Sequence, residues 1–308
     1  MKNRLEKLLL QAQGQQNDLL RQAESSDSFA LRIAAQSMDS HIADLKQQLT
    51  SLSDKAEIEL MEFRFVASQF NRGSMPLHIV SRAAEEIRQM IGYAALRISQ
   101  GGLRKKRIPG YLYEDLDLRL TGLLPGSSRL LVTAAANRDL FDEGISKAAI
   151  GRIFSVLESQ GKGKGFLEAV TDLGPFGAKS LRNFIHLANS TNAKLDFTWR
   201  YSGKEVLSWT GNEKALKQIE DALDVTELSS REEVNLEGII ELLSKRERMH
   251  LLSDSNEVIK ILFPKRMLDQ VAGLHLNQRV KLRCSVTETA NPHTGEASIF
   301  YELIDILG

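Results

Sequence analysis

Residues 116–133, LDLRLTGLLPGSSRLLVT, decide how this chain folds. Leu116, Leu118 and Leu120 alternate with Asp117 and Arg119, and Pro125-Gly126 supplies a turn. Arg129 to Thr133 is a second apolar run, so the stretch reads as a β-hairpin. Upstream, Ile58, Leu60, Phe63 and Phe65 alternate with Glu57, Glu59, Glu62 and Arg64 and fall out of step at Met61. This predicts a half-buried strand with a bulge. Between the two, Pro76 opens a helix over about 76–100 that ends at Gly101-Gly102, with Ile79, Ala83, Ile87, Met90, Ile91, Ala94 and Ile98 on its apolar face.

Downstream, residues 143–190 are helical in pattern, interrupted at Gly161–Gly165 and at Gly174-Pro175. Lys194–Tyr201 and Glu205–Trp209 read as a strand pair around Ser202-Gly203, and Asn212–Leu223 as a last helix before the polar stretch 226–231. The order strand, helix, hairpin, helices, hairpin, helix lacks a βαβ rhythm. An α+β body with a mainly antiparallel sheet, residues 56–228, is therefore expected.

Residues 229–308 change character. Strand patterns at 234–242, 249–252, 258–263, 280–286 and 299–306 surround a helix-like 264–272, and Gly238 sits inside the first strand where a small barrel bends sharply. The order resembles the OB-fold, a five-stranded barrel with a helix between its third and fourth strands. That resemblance is topological, covers the last quarter of the chain, and implies no function by itself. OB-folds that hold single strands use aromatic platforms in a basic groove. Here strands two and three have no aromatic before Phe263, and residues 229–308 hold 10 Lys+Arg against 12 Asp+Glu. The net of −2 is the wrong sign for such a groove. A local patch remains at Lys245, Arg246 and Arg248, and at Arg279, Lys281 and Arg283.

At the other end, Leu31, Ala35, Met38, Ile42, Leu45, Leu49 and Leu52 are spaced 4, 3, 4, 3, 4, 3, an a/d seam of about three heptads. Leu5 to Ala23 follow the same register less cleanly, and Ser25-Ser26-Asp27-Ser28 offers N-caps for the second helix. Residues 1–55 thus read as an antiparallel helical hairpin. Two helices bury too little surface to stand alone, so the seam packs on the rest of the chain or on a partner. Gln11, Gln13, Gln15, Gln16, Gln47 and Gln48 read as a solvated face.

With 308 residues, 42% apolar and 26% charged, the composition is globular and excludes disordered and disulfide-scaffold classes. Forty Lys+Arg balance forty Asp+Glu, so no whole-molecule field draws in nucleic acid or an anionic membrane. The single Cys284 points to the cytoplasm, and the start of the chain lacks a signal-peptide pattern. No run approaches the length of a membrane span.

Catalytic motifs are missing. The sequence has no HExxH, GxSxG or GxGxxG after a strand, and no metal-ligand spacing among its 6 His. Gly161–Gly165 lacks phosphate-loop spacing and reads as a flexible connector, while Gly174-Pro175 reads as a helix stop followed by a helix start. Asp115 and Asp117, on one strand face, and Asp139–Glu143 are the carboxylates a metal-dependent nuclease would need. Arg104, Lys105, Lys106 and Arg107, near Tyr111 and Tyr113, form the one dense basic run and would hold nucleic acid with phosphate on arginine and a base on tyrosine. The first expectation is a non-catalytic, cytoplasmic interaction protein without cofactor or metal. It self-associates or docks a protein partner through Leu31, Met38, Ile42, Leu45, Leu49 and Leu52. Nucleic-acid binding through 104–107 and the barrel is the second expectation, and a nuclease the third.

Overall fold

The computed structural model describes residues 58–70, 74–102, 107–124, 128–135, 144–201, 203–244 and 247–307. In the first 56 residues it describes the helical positions Ala12, Gly14 to Gln16, Asp18, Leu19, Gln22, Ala35, Gln36, Met38, Asp39 and Ile42. Residues 1–56 and 57–308 are two compact units.

In the first unit Ala12 and Ile42 are buried against each other with Met38 alongside. The Gln16 Nε2 donates to the carbonyl of Ala35 at 3.2 Å and to Asp39 Oδ1 at 2.6 Å. Gln16 therefore ties two helical segments together and does not belong to a purely solvated face. Leu31, Leu45, Leu49 and Leu52 lie outside the described residues.

The second unit is mixed α+β with two mostly antiparallel sheets. Strand β1 (Ile58–Val66) leads to helix α1 (Leu77–Gln100), helix α2 (Gly110–Leu116) and strands β2 (Arg119–Leu124) and β3 (Ser128–Ala135). Helices α3 (Ile145–Glu158), α4 (Gly163–Leu173) and α5 (Pro175–Ser190) follow, then β4 (Lys194–Tyr201), β5 (Lys204–Gly211) and α6 (Glu213–Val225). The first sheet has the order β2-β3-β1-β4-β5 and is antiparallel throughout.

Four aromatic rings fix how the helices lie on this sheet. Phe63 on β1 stacks on Phe197 of β4 at 4.3 Å between centroids, and Phe184 of α5 meets Phe63 edge-on at 5.3 Å. Phe154 of α3 lies 4.5 Å from Phe197. All four are fully buried, and such pairs add about 0.5–1.5 kcal/mol each beyond the area they remove from water. Two helices are anchored by their caps. Pro76 precedes α1, Gly101 ends it at φ 66°, and Asn212 accepts from the Ala215 amide at 2.9 Å to open α6.

Two expectations about this body are corrected. Strand β1 has no bulge: its pairings with β3 and β4 are continuous, and its inner face is Glu59, Met61, Phe63 and Phe65. Leu60 faces the other way. The strand expected from Leu116 starts only at Arg119, because Gly110 to Leu116 form α2 and Asp117 turns the chain at φ 39°. Asp115 and Asp117 accordingly share no strand face. Gly161–Gly165 is a turn whose last residues already belong to α4.

Strand β6 (Glu227–Ser244) leaves α6 almost directly and enters the second sheet with β7 (Arg248–Ser253), β8 (Val258–Leu262), β9 (Arg279–Asn291) and β10 (Glu296–Ile306). Between β8 and β9 lie a short 3-10 turn and helix α7 (Leu268–Ala272). The order β10-β8-β7-β6-β9 closes through the β9–β10 pairing. Only β8 and β10 run parallel. Alternate residues, among them Ile240, Met249, Leu251, Ile261, Leu282 and Leu303, fill the inside. No helix among the described residues is long and apolar enough to cross a membrane.

Candidate functional site

Buried charges gather where α1, α3 and α4 meet the second sheet. Arg97 interrupts the apolar face of α1 and pairs with Glu302 of β10, whose other oxygen accepts from the Gly102 amide at 2.7 Å. Arg152 of α3 donates to the Asp172 carbonyl at 2.7 Å and lies 3.8 Å from Glu247. Burial pulls the Arg152 guanidinium below its usual range, opposed by the carboxylates of Asp172 and Glu247. Arg248 pairs with the Asp172 carboxylate, and Thr171 and Thr289 share a hydrogen bond of 2.6 Å. Three arginines thus meet three carboxylates, which gives a balanced seam with no charge left over for a ligand.

The seam also changes the meaning of the cations expected on the second sheet. Arg248 on β7 is taken by Asp172, and Lys260 on β8 lies 3.9 Å from Glu168, so α4 supplies the counter-charges for the face of strands β7 and β8. On β9, Arg279 is bound by Glu237 at 3.1 Å and Asp254 at 2.8 Å, and Arg283 by Asp305 at 3.0 Å. Lys245 and Arg246 lie outside the described residues.

A second group of residues does leave a charge open. Along the middle of α1, Arg88, Gln89 and Tyr93 face Arg107, Ile108 and Tyr113 across a cavity of about 550 Å³. Gly92 makes this approach possible, since a Cβ there would lie 2.8 Å from Ile108 Cδ1 and 3.0 Å from Tyr113 Cε1. Arg88 donates to both oxygens of Glu85 at 2.8 and 2.7 Å while its guanidinium lies 4.4 Å from the centre of the Tyr113 ring. The hydrogen bond from Arg88 holds the Glu85 carboxyl below its ordinary range, and burial pushes the Tyr113 phenol up, so Tyr113 keeps its proton. Tyr93 leans on Phe176 at 5.3 Å between centroids.

Arg107 is exposed and has no ion pair among the described residues. It is the one member of the expected basic run that the structure places, since Arg104, Lys105 and Lys106 lie outside the described residues. Its neighbour Tyr111 is half exposed, with its hydroxyl accepting from Gln100 Nε2 at 2.6 Å. Of the tyrosines near the run, Tyr113 lines the cavity. The α1 residues Arg88 and Tyr93 carry no signal in their own segment, because their role depends on what packs across from them.

The remaining polar groups read as structure. His186 Nδ1 and Glu220 Oε1 are 2.7 Å apart, and Asn189 donates to the other Glu220 oxygen at 2.5 Å, which clamps α5 to α6. Gly174 closes α4 and precedes Pro175 at the start of α5, the stop and start expected of it. No group of three His, Cys, Asp or Glu among the described residues could hold a metal ion. Asp117 pairs with Arg119 at 2.8 Å, and Asp139 to Glu143 lie outside the described residues. Comparison with known proteins finds no matching family model, no matching curated protein and no matching solved structure.

Proposed function

We propose that the chain is a non-catalytic, cytoplasmic interaction protein, in which residues 1–56 self-associate or dock a protein partner and residues 57–308 serve as a platform. The observation that carries this reading is the apolar a/d seam of the first unit, in which Met38 and Ile42 pack with Ala12. Residues 57–308 hold two hydrophobic cores of their own. The a/d seam continues in sequence through Leu45, Leu49 and Leu52, and at roughly 25 cal/mol per Å² two helices alone bury too little apolar surface to stabilise a fold. A matching seam on another chain completes such a unit. Light scattering on the full chain and on residues 57–308 tests it. If the unit self-associates, the full chain should have at least twice its monomer mass and residues 57–308 the mass of one chain, while equal association states would overturn the self-association part of the reading.

A second reading, single-stranded nucleic-acid binding, is favoured by the strand order. Numbered within the second sheet, β6 to β10 run 1-2-3-5-4 and close back on 1, with the third and fifth parallel and a helix between the third and fourth. This is the arrangement of an OB-like barrel. The pairing of Arg248 and Lys260 with α4 moves the contact surface for this reading to Arg107 and its tyrosines. An anisotropy titration with a labelled oligonucleotide should then show binding that weakens steeply with salt, and no binding at low salt would remove this reading.

A further inference from the structure

We propose that the cavity between α1 and residues 107–113 is a binding site for a phosphate monoester of nucleotide size. The site shares Arg107 and Tyr113 with the second reading above and goes beyond it, since a small ester needs neither self-association nor a polymer.

Charge is the first argument. Arg88 is neutralised by Glu85 through two hydrogen bonds, so Arg107, unpaired among the described residues, gives the described lining one net positive charge. An anion is the complementary ligand. Donor chemistry narrows it further. The guanidinium of Arg107 is a planar fork, the protonated Tyr113 hydroxyl is a donor, and Arg88 keeps Nη1 after giving Nε and Nη2 to Glu85. Donors lining one cavity from α1 and from the facing segment suit the several acceptor oxygens of a phosphate better than the two of a carboxylate.

The second argument is shape. The cavity lies within the usual range of about 300–1,000 Å³ for small-molecule sites. Its walls include the Tyr93 ring, backed by Phe176, and the Tyr113 ring, held by Arg88 on one face. A planar base or a sugar can lie along these rings while the phosphate meets Arg107. Gly92 keeps the two walls at this separation, and Arg88 is fixed by Glu85, so the site is preformed.

The test is isothermal titration calorimetry of the full chain at low salt with AMP, UMP, ribose 5-phosphate and inorganic phosphate. Arg107→Ala and Tyr113→Phe are the probe variants, and Lys204→Ala, at the exposed first residue of β5, is the control. At least one ester should bind with a Kd below about 1 mM, and Arg107→Ala should weaken it by about tenfold or more. Tyr113→Phe should weaken it several-fold while keeping the ring under Arg88, and Lys204→Ala should change nothing. Tighter binding of AMP or UMP than of ribose 5-phosphate assigns the ring walls to the base, and equal binding assigns recognition to the sugar phosphate. Inorganic phosphate binding as tightly as the esters overturns the ester assignment. The proposal fails outright if no probe binds at several times the expected Kd, or if binding survives Arg107→Ala unchanged.

Discussion

Arg97, on α1, gives its guanidinium to the carboxylate of Glu302, on β10, across 205 positions of sequence, and both side chains are nearly buried. The pair ties the helical layer to the second sheet, yet two charges taken out of water gain little net stability over apolar residues of the same size. What they lose when separated is larger. Arg97→Ala or Glu302→Ala should each cost about 3–5 kcal/mol in urea unfolding, because the surviving charge stays buried, and the second also strands the Gly102 amide. The double variant Arg97→Met with Glu302→Leu should recover most of that loss. A double variant as unstable as either single one would show that the pair itself holds the two layers together.

Glu59 and Trp199 make the same point inside the first sheet. Trp199 Nε1 donates to Glu59 Oε2 at 2.5 Å, with both residues buried on neighbouring strands. Glu59→Gln keeps an acceptor and should be mild. Glu59→Ala leaves the indole N–H without it and should lower unfolding stability by about 1–3 kcal/mol. Tryptophan emission compared between the two variants checks that the loss is local to Trp199.

That contact also explains a misread strand. Placing Glu59 on the wet face of β1 forces a break at Met61, whereas a buried Glu59 makes the inner face run without interruption through Met61, Phe63 and Phe65. The donor that allows this burial belongs to β4, 140 residues away, and periodicity cannot see it. Leu116, Leu118 and Leu120 mislead in another way. Their alternation fits a strand, but the Gly110–Leu116 segment has Leu112 and Leu116 on one helical face, four apart, and both are buried beneath α2. By contrast α1, β4 and β5 are read closely, since each carries a pattern bounded by Pro, Gly or Asn, whereas β6 begins at Glu227 and β9 runs to Asn291, past the expected 234–242 and 280–286, because their added ends are polar. For the cavity, Arg107 and Tyr113 stand out as a basic and aromatic neighbourhood. Arg88 and Tyr93 become legible only once Gly92 brings the two segments together.

Cys284 should behave as a reporter of unfolding. It is buried in the second sheet, and burial, with the nearby Glu302 charge, pushes its thiol up to about 12. At about pH 8 the native chain should not react with a disulfide reagent, while the chain in urea should react at once with one thiol per molecule. The folded value lies above the unfolded one. The stability this contributes is therefore fully present below about pH 9 and is lost as the pH rises toward 12, because only the unfolded chain ionises at first. Fast labelling of the native chain at pH 8 would contradict the burial.

Gly238 and Gly151 should respond to alanine in opposite directions. Gly238 lies in β6 between Ser253 of β7 and Val280 of β9, and a Cβ there would come within 2.3 Å of the Leu252 carbonyl oxygen. Backbone cannot move aside as a flexible side chain can, so Gly238→Ala must push β7 away from β6 where the two strands bend together. A cost of about 1–3 kcal/mol or more follows, the range of an overpacked core. Gly151 sits in the middle of α3 with nothing within 4 Å of the same added atom. There the methyl group meets no obstacle and the unfolded chain loses freedom, so Gly151→Ala should stabilise by about 0.5–1 kcal/mol. Urea midpoints of the two variants, measured beside the parent chain, decide both. Were Gly238→Ala neutral, β6 and β7 would have to separate without loss, and the tight bend that lets this sheet close would not depend on the glycine.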